Sequence, residues 1–461
     1  MNTCIKKLFL LPALIVSLGL ILTGRAMAQI TFTNLHSFSG GDGTFPIGGL
    51  VLSGTKLYGT TKDGGPFFGT VFSVNTNGGF ANLYNLNPNN DGSEPLGALI
   101  LSGGMLYGTA SRGGSQAEGT VFGVSTNGLN FTNLYTFIGG NDGSSPSAGL
   151  VLSGNTLYGT TQSGGTNGDG TVFAITTNGT GYTSLHSFTG INDGSFPLAG
   201  LIFSNNTLYG TASQGGSTGH GTVFAFNLSS SIFSNLYSFS ALTNVAPFGN
   251  RDGANPEGAL VLSSNTLYGT AFRGGTGGNG SVFAIHIDGT GFTNLYSFTV
   301  SDPSAGTNSD GAGPEDALIL SGNTLYGTAF RGGPANVGAV FAIHTDGSGF
   351  TNLYNFTGGS DGANPYAGLL LSSNTLYGTA QSGGAGGNGT VFSLSLGSVN
   401  LPQLIIIRSG TNVVLTWPTN ATGFTLQSTT NLVSAIWSNI SGQFAVTNPI
   451  TGAQRFYRLT Q

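Results

Sequence analysis

The feature that most constrains the fold of this chain is a cassette that occurs seven times. The tetrapeptide Leu-Tyr-Gly-Thr begins at Leu57, Leu106, Leu157, Leu208, Leu267, Leu325 and Leu376. Each copy follows an apolar run and precedes a Gly-Gly pair and then Val-Phe, and the copies lie 49–59 residues apart. Repeats of about this length with several strand signals each are typical of β-propeller blades.

One repeat contains four predicted strands. Ala148–Ser153 is strand a, Thr156–Thr161 is strand b, Thr171–Thr176 is strand c and Tyr182–Phe188 is strand d. Strand a opens on small residues in nearly every copy, whereas strand d is aromatic at both ends. Because blades crowd together near the axis of a propeller, we expect strand a to be innermost and strand d to lie at the rim.

The seventh copy lacks its fourth strand, and that strand is found at the other end of the repeat region. The last repeat stops after Val391 and Phe392, while a strand d sequence occupies residues 32–38. An open stack of repeats has no use for a displaced strand, whereas a ring closes with it. The sequence therefore predicts an all-β fold, a seven-bladed β-propeller closed by the N-terminal strand over residues 29–396.

Both ends of the chain differ from the repeats. Residues 1–28 resemble a signal peptide, with an apolar stretch at 8–23 and a small-x-small cleavage site that ends at Ala28. We therefore expect export to the periplasm, the cell surface or the medium. Residues 397–461 contain Trp417 and Trp437 and several short strand patterns, which predict a small β-sandwich.

Charge and composition limit the kinds of partner. Lys and Arg total 12 and Asp and Glu total 17, so the formal net charge is −5. This balance argues against nucleic acid or an anionic membrane as the partner. Beyond residue 28 no segment is apolar for long enough to span a membrane. The single cysteine, Cys4, lies in the predicted signal peptide, so no disulfide is expected.

The repeated string Leu-Tyr-Gly-Thr-x-x-x-Gly-Gly, followed by Val-Phe and Asp-Gly-x-x-Pro, resembles the GloVer tandem-repeat family of secreted bacterial proteins. That family is called "choice-of-anchor" because its members end in different surface-sorting segments. The resemblance covers residues 31–395 and implies an exported, surface-associated protein, but no activity. The blades also resemble those of kelch propellers, whose second strand carries a similar Tyr-x-x-Gly-Gly pattern.

Seven aspartates recur in the Asp-Gly-x-x-Pro turns: Asp42, Asp91, Asp142, Asp193, Asp252, Asp310 and Asp361. They would form a ring of carboxylates for calcium or a polyhydroxylated ligand, or else each would cap backbone amides while the glycine takes a positive φ. Recurrence in every blade favours the structural interpretation, because ligand sites are usually local.

One face of the ring is predicted to carry the longer loops. The b–c and d–a loops share this face, and two d–a loops, at 240–251 and 299–309, contain insertions. Arg273 and Arg331 precede Gly-Gly in b–c loops of adjacent blades and follow Phe272 and Phe330. These Arg–Phe pairs would grip a sugar acid or a peptide carboxylate; recent duplication of one blade is the alternative explanation of their likeness.

Three acidic residues complete the candidate ligand site. Glu257 and Glu315 follow the turn prolines of the same two blades, and Asp316 occupies a strand a position at which the other six blades have Gly or Ala. Asp316 would face a solvated central channel or hold a cation there. The sequence contains no Gly-x-Ser-x-Gly, His-Glu-x-x-His or P-loop motif, so we assign no catalytic residue, metal ligand or cofactor.

The preferred interpretation is therefore an exported, non-enzymatic propeller that binds or scaffolds at the cell surface, with a polysaccharide or a surface protein as partner. A carbohydrate-active enzyme, a glycosidase or lyase using acids of the loop face, is the first alternative. A structural surface-layer component is the second.

Overall fold

The computed structural model of the chain describes residues 30–65, 68–302 and 306–397, and six strands between residues 405 and 460. These residues form β-strands and no helix, and therefore no helix that is long and apolar enough to cross a membrane. The predicted signal peptide lies outside the described residues, as do Trp417 and Trp437. One compact unit of the chain is Phe32–Ser395, and the C-terminal strands belong to another.

The larger unit begins with β1 (Thr31–Ser37) and continues through blades that repeat the order a, b, c, d. Blades 1 to 4 consist of β2 (Val51–Ser53), β3 (Lys56–Thr61), β4 (Thr70–Asn75) and β5 (Phe80–Asn85); β6 (Ile100–Ser102), β7 (Met105–Ala110), β8 (Thr120–Ser125) and β9 (Phe131–Thr136); β10 (Val151–Ser153), β11 (Thr156–Thr161), β12 (Thr171–Thr176) and β13 (Thr183–Ser187); and β14 (Ile202–Ser204), β15 (Thr207–Ala212), β16 (Thr222–Asn227) and β17 (Ile232–Ser238).

The remaining three blades have the same order, except that the last has only three strands from its own repeat. They consist of β18 (Val261–Ser263), β19 (Thr266–Ala271), β20 (Ser281–His286) and β21 (Thr293–Ser297); β22 (Ile319–Ser321), β23 (Thr324–Ala329), β24 (Ala339–His344) and β25 (Thr351–Asn355); and β26 (Leu370–Ser372), β27 (Thr375–Ala380) and β28 (Thr390–Ser395).

The N-terminal strand closes the ring as predicted. Blade 7 is a four-stranded sheet of order β1-β28-β27-β26, so β1 is its outer strand. The other six blades are four-stranded sheets of consecutive strands. Phe32 at the start of β1 stacks on Tyr354 of blade 6 with ring centroids 4.3 Å apart, and His36 near its end stacks on Phe80 of blade 1 at 3.9 Å. β1 therefore completes the seventh four-stranded sheet and packs against both neighbouring blades, which closes the ring.

The same stack recurs at every junction between blades. An aromatic ring near the end of strand d lies parallel to a ring at the start of strand d in the next blade, with centroids 3.8–4.3 Å apart. Stacked aromatic pairs contribute about 0.5–1.5 kcal/mol beyond the area they bury. The aromatic ends of strand d therefore join neighbouring blades at the rim.

The hydrophobic core consists of layers between adjacent blades. In one layer Val223 and Phe239 of blade 4 pack with Leu260 and Phe283 of blade 5, and all four are fully or almost fully buried. A lone four-stranded sheet would leave both faces exposed, so each blade needs its neighbours. Burial of apolar side chains across these junctions is the main source of stability.

The glycine of Leu-Tyr-Gly-Thr is required by packing inside the blade. A Cβ added to Gly159 would lie 2.6 Å from the ring of Phe173 and 2.8 Å from a methyl group of Leu150. Both neighbours are buried, so neither has room to move. This contact explains why glycine occurs at the centre of strand b in all seven repeats.

Strand a is innermost, as the small residues predicted, but its paired part is shorter than expected. The sequence predicted strand a of blade 3 at Ala148–Ser153, whereas β10 covers Val151–Ser153. Ala148, Gly149 and Leu150 instead line an axial cavity shared by all seven blades. These three residues lie before the ladder between β10 and β11 begins, so they line the cavity without ladder partners.

Six described strands follow the propeller. They are β29 (Ile405–Ser409), β30 (Asn412–Thr416), β31 (Thr425–Thr429), β32 (Ser438–Asn439), β33 (Ala445–Pro449) and β34 (Phe456–Thr460). They form two three-stranded antiparallel sheets, of order β29-β30-β33 and β32-β31-β34. Two small sheets agree with the predicted strands, and the β-sandwich itself stays a prediction.

Candidate functional site

The residue that follows each turn proline points to the axis of the propeller. Together these seven residues line a cavity of about 510 Å³. In blade order they are Ile47, Leu96, Ser147, Leu198, Glu257, Glu315 and Tyr366. The ring is divided: blades 1, 2 and 4 contribute the apolar arc Ile47, Leu96 and Leu198, while blades 5, 6 and 7 contribute polar groups. With Asp316 these polar groups, Glu257, Glu315 and Tyr366, form what we name the acidic arc.

Isolated backbone bridges hold each d–a turn in place on the loop face. In blade 5 Ala254 pairs with Arg273 of the b–c loop, and equivalent bridges occur in the other six blades. The proline of each turn also packs against a glycine of the preceding blade: a Cβ on Gly280 would lie 2.6 Å from Cδ of Pro314. The b–c and d–a loops therefore share one face, as predicted, and the acidic arc lies on a rigid scaffold.

The turn aspartates have the structural role that the sequence favoured. At Asp252 the carboxylate Oδ2 accepts hydrogen bonds from the Tyr237 hydroxyl (2.9 Å) and the Ser240 backbone N–H (2.8 Å). The adjacent Gly253 has a φ of +97°. The contact differs from an Asx-turn, because the capped amide precedes the aspartate instead of following it. Each carboxylate thus ties its turn to the end of the preceding outer strand.

Glu315 is the most buried member of the acidic arc. Glu315 is only 7% exposed, and its Oε2 atom is buried without a hydrogen-bond partner among the described residues. Desolvation raises the pKa of Glu315 to about 8, and the nearby Glu257 and Asp316 carboxyls add to the rise. Arg331 and the Tyr366 hydroxyl act in the opposite direction but do not compensate for burial.

Glu257 and Asp316 are also perturbed by burial. Desolvation raises the pKa of Glu257, against the weaker effect of Arg273. Desolvation likewise raises the pKa of Asp316, although its carboxylate accepts two backbone hydrogen bonds. These come from Ala317 N–H (2.7 Å) and from Gly368 N–H of the next blade (2.6 Å). Asp316 lines the axial cavity, and its two hydrogen bonds link blade 6 to blade 7. The solvated channel and the bound cation stay predictions.

Tyr366 is a site residue that the sequence prediction missed. Its half-buried side chain lines the cavity. Desolvation raises the pKa of the Tyr366 hydroxyl, and the nearby carboxyls of Glu315, Glu257 and Asp316 add to the rise. The signal was present in the repeats. Aligning the residue after each turn proline places Tyr366 in register with Glu257 and Glu315, at the position that is apolar or serine in the other four blades.

The two predicted Arg–Phe pairs are formed. The Arg273 guanidinium carbon lies 5.6 Å from the centroid of the Phe272 ring, and that of Arg331 lies 5.3 Å from the centroid of Phe330. Both arginines are exposed. Among the described residues, no ion pair within 4.0 Å joins either arginine to Glu257. The pairs therefore lie beside the acidic arc without neutralising it.

The insertion at 240–251 forms part of the same face. The Asn250 Oδ1 atom accepts hydrogen bonds from the N–H groups of Gly253 and Gly275, each at 2.9 Å. This asparagine fixes the inserted loop to the b–c loop of blade 5. Val245 and Phe248 of the insertion are exposed. The insertion thus adjoins the blade that carries Glu257.

The part of the chain that the structure describes contains no cluster of three or more His, Cys, Asp or Glu side chains arranged to hold a metal ion. His286 and His344 lie at the exposed ends of β20 and β24, where each hydrogen-bonds within its own c–d turn. What the acidic arc offers chemically is a set of carboxyl groups with raised pKa values beside a tyrosine hydroxyl.

Seven similar four-stranded blades arranged around one axis make this protein a tandem-repeat β-propeller. The sequence family described as the Gloeobacter/Verrucomicrobia repeat matches residues 19–152, 104–307 and 304–414. The chain belongs to this family, and the predicted GloVer membership is confirmed.

Comparison with curated proteins gives no match. Among solved structures, the chain is similar to a chain of a nidogen/laminin complex, with a TM-score of 0.38, 14% identity, and coverage of 62% of this chain and 89% of that one. It is also similar to a gluconolactonase from Xanthomonas campestris, with a TM-score of 0.38, 14% identity, and coverage of 63% and 81%. The function of this chain is therefore inferred from its own residues.

Proposed function

We propose that this protein is an exported, non-enzymatic propeller that binds a cell-surface partner through the acidic arc. The observation that carries the proposal is the division of the axial ring. Four blades place an apolar residue or serine after the turn proline, whereas three consecutive blades place Glu257, Glu315 and Tyr366 there. A concave, largely apolar cavity with a few convergent polar groups is the usual form of a ligand site.

Burial of these carboxyls has an energetic cost that architecture alone does not require. Small or apolar residues occupy the equivalent positions of the other blades and form the same fold. Among the residues that the structure describes, Glu315 lacks a hydrogen-bond partner for one buried oxygen, and such groups in native proteins are unusual. Perturbed carboxyls gathered in a cavity support a functional site. Export is supported by the N-terminal sequence pattern of residues 1–28.

Binding by purified residues 29–461 tests the proposal. Insoluble polysaccharides and immobilised cell-surface proteins are the two classes of partner to compare, each with and without calcium. We expect one class to retain the protein and the double variant Glu257→Gln/Glu315→Gln to lose retention. Glu118→Gln is the matched control, because Glu118 is an acidic side chain on a b–c loop of blade 2, outside the acidic arc. Retention that survives the double variant would place the binding surface elsewhere.

A carbohydrate-active enzyme is the second candidate, and one observation favours it. Glu315, with a pKa of about 8, is protonated at neutral pH beside a second carboxyl, Glu257. Glycoside hydrolysis commonly uses a protonated carboxyl as general acid with a second carboxylate as base or nucleophile. Release of reducing ends from soluble polysaccharides, abolished by Glu315→Gln, would support an enzyme. Binding without release would support the non-enzymatic propeller.

A further inference from the structure

We propose that the axial cavity binds a primary ammonium group carried on an aliphatic stem. In this arrangement Glu315, Glu257 and Asp316 receive the ammonium, and the apolar arc receives the stem. The inference rests on the proposed binding role of the acidic arc and adds the chemical class of the ligand.

The two sides of the cavity differ in chemistry. Ile47, Leu96 and Leu198 line one side, and the carboxyls of blades 5 and 6 line the other. A ligand that fits both sides needs an apolar body and a polar end. A chain of methylene groups ending in –NH₃⁺ has this form, because its stem gains free energy as it leaves water and its head offers three hydrogen-bond donors.

The acidic side lacks a cation that the ligand would supply. Within the described part of the chain the buried Oε2 atom of Glu315 has no hydrogen-bond partner, and Glu315 lines the cavity. Among the described residues, no ion pair within 4.0 Å involves Glu257, Glu315 or Asp316. Buried charges in proteins are normally paired. An unpartnered oxygen inside an acidic cluster is thus an independent sign that a donor from outside completes the site.

Other ligand chemistries fit these groups less well. An anion would be repelled by the carboxyls, and the two arginines that would attract it are exposed and lie over Phe272 and Phe330. Calcium takes six to eight oxygen ligands, and the apolar arc supplies none. A neutral hydroxyl donates one hydrogen bond to an ionised carboxylate, whereas an ammonium offers three donors and also supplies the opposite charge.

The protonation state of the Glu315 carboxyl makes the affinity for an ammonium group depend on pH. The groups that face it are Glu257, Asp316, Arg331 and the Tyr366 hydroxyl, and its pKa is raised to about 8. An ammonium stabilises the ionised carboxylate, so binding at pH 7 must release a proton. Affinity should therefore rise by up to about tenfold per pH unit below pH 8 and level off above it. It should fall again above about pH 10, where an alkylammonium loses its own proton.

Calorimetric titration of purified residues 29–461 with hexylammonium, 1-hexanol and hexanoate tests the inference. We expect hexylammonium to bind at pH 8.5 at least tenfold more tightly than the other two, and to release a proton at pH 7 in buffers of different ionisation enthalpy. Glu315→Gln should weaken it about 10- to 100-fold, since a hydrogen bond to a charged group is lost. Equal affinity for hexanol, or binding without proton release, would overturn the inference.

Two further variants separate folding from binding. Asp316→Ala restores the small residue that the other blades carry, so it should fold and still lose affinity. Glu118→Gln removes a carboxyl from a b–c loop of blade 2 and should leave hexylammonium binding unchanged. Unchanged affinity in both Asp316→Ala and Glu315→Gln would show that the amine binds outside the acidic arc and would refute the proposal.

Two sources of the ammonium group are compared in the same experiment. A free diamine, cadaverine, represents small amines. Nα-acetyl-lysine amide, which keeps its side-chain ammonium, represents a lysine side chain of a partner protein. Tighter binding of either supports the shared chemistry and identifies its source. If no amine binds but a polysaccharide is retained and lost in Glu257→Gln/Glu315→Gln, the ligand class is wrong and the binding function stands. If nothing binds, both proposals fail.

Discussion

Replacing Glu315 by glutamine should change how the stability of the propeller depends on pH. The pKa of Glu315 rises from its ordinary value of 4.5 to about 8 in the folded protein, chiefly because the side chain is buried. Between these two values the unfolded chain has released a proton that the folded chain retains. The free energy of unfolding must therefore fall as pH rises across this window.

The size of the effect follows from the two pKa values. Each pH unit between 4.5 and 8 removes about 1.4 kcal/mol from the free energy of unfolding, up to about 5 kcal/mol in total. The contribution of Glu315 is complete below pH 4.5 and is lost as pH rises through 8. Glutamine cannot ionise, so the variant lacks this dependence. Relative to the original protein, Glu315→Gln should gain about 1.4 kcal/mol per unit from pH 5 to pH 8.

Urea denaturation at pH 5, 6, 7 and 8, followed by far-UV circular dichroism, measures this difference. The slope of the difference against pH is diagnostic, because any loss from placing an amide in the cavity is the same at every pH. Glu118→Gln reports the general effect of removing one acidic side chain from the loop face. A difference between Glu315→Gln and the original protein that stays constant from pH 5 to pH 8 would refute the burial argument.

Three further substitutions test the scaffold, each measured by the shift in urea midpoint. Phe32→Ala removes a half-buried stack between blades 6 and 7, where the N-terminal strand closes the ring, and should cost about 2–3 kcal/mol. Phe292→Ala at the junction of blades 4 and 5 should cost the same. A negligible effect of Phe32→Ala alone would mean an open ring. Asp252→Ala should cost about 2–3 kcal/mol because it removes charged hydrogen bonds from a buried turn, whereas the exposed Asp288→Ala should leave the midpoint unchanged. Gly159→Ala should cost about 1–3 kcal/mol through overpacking, and tolerance of this methyl group would contradict the close contacts in the blade.

Most of the propeller could be predicted from the sequence because equivalent positions can be compared across seven repeats. The strand at 32–38 was recognisable as displaced only because six other copies showed where it belongs. The order of strands followed from side-chain size, and the axial cavity confirms it. The paired length of strand a was overestimated, since an apolar run lining an axis has the same pattern as a run paired in a sheet.

The candidate site was less predictable because it depends on distances between blades. The sequence predicted Glu257, Glu315 and Asp316 as candidate ligand residues and identified Asp316 as a departure from the repeat, and the structure places all three at the axial cavity. It also predicted that Arg273 and Arg331 would pair with phenylalanines, as they do. It could not show that the arginines remain outside the cavity, because the direction of an exposed guanidinium is set by neighbours far away in sequence.

Duplication of a blade explains only part of the acidic arc. Blades 5 and 6 share Ala-Phe-Arg-Gly-Gly, so copying one blade would account for both arginines and for both Glu257 and Glu315. Copying does not account for Asp316, where blade 5 has a glycine, or for Tyr366 in blade 7. Asp316 follows Glu315 in the chain, Tyr366 belongs to the next blade, and both affect the pKa of Glu315. Independent changes that converge on one buried carboxyl are expected of a ligand site, whereas duplication alone would have left blade 7 with a small or apolar residue at this position.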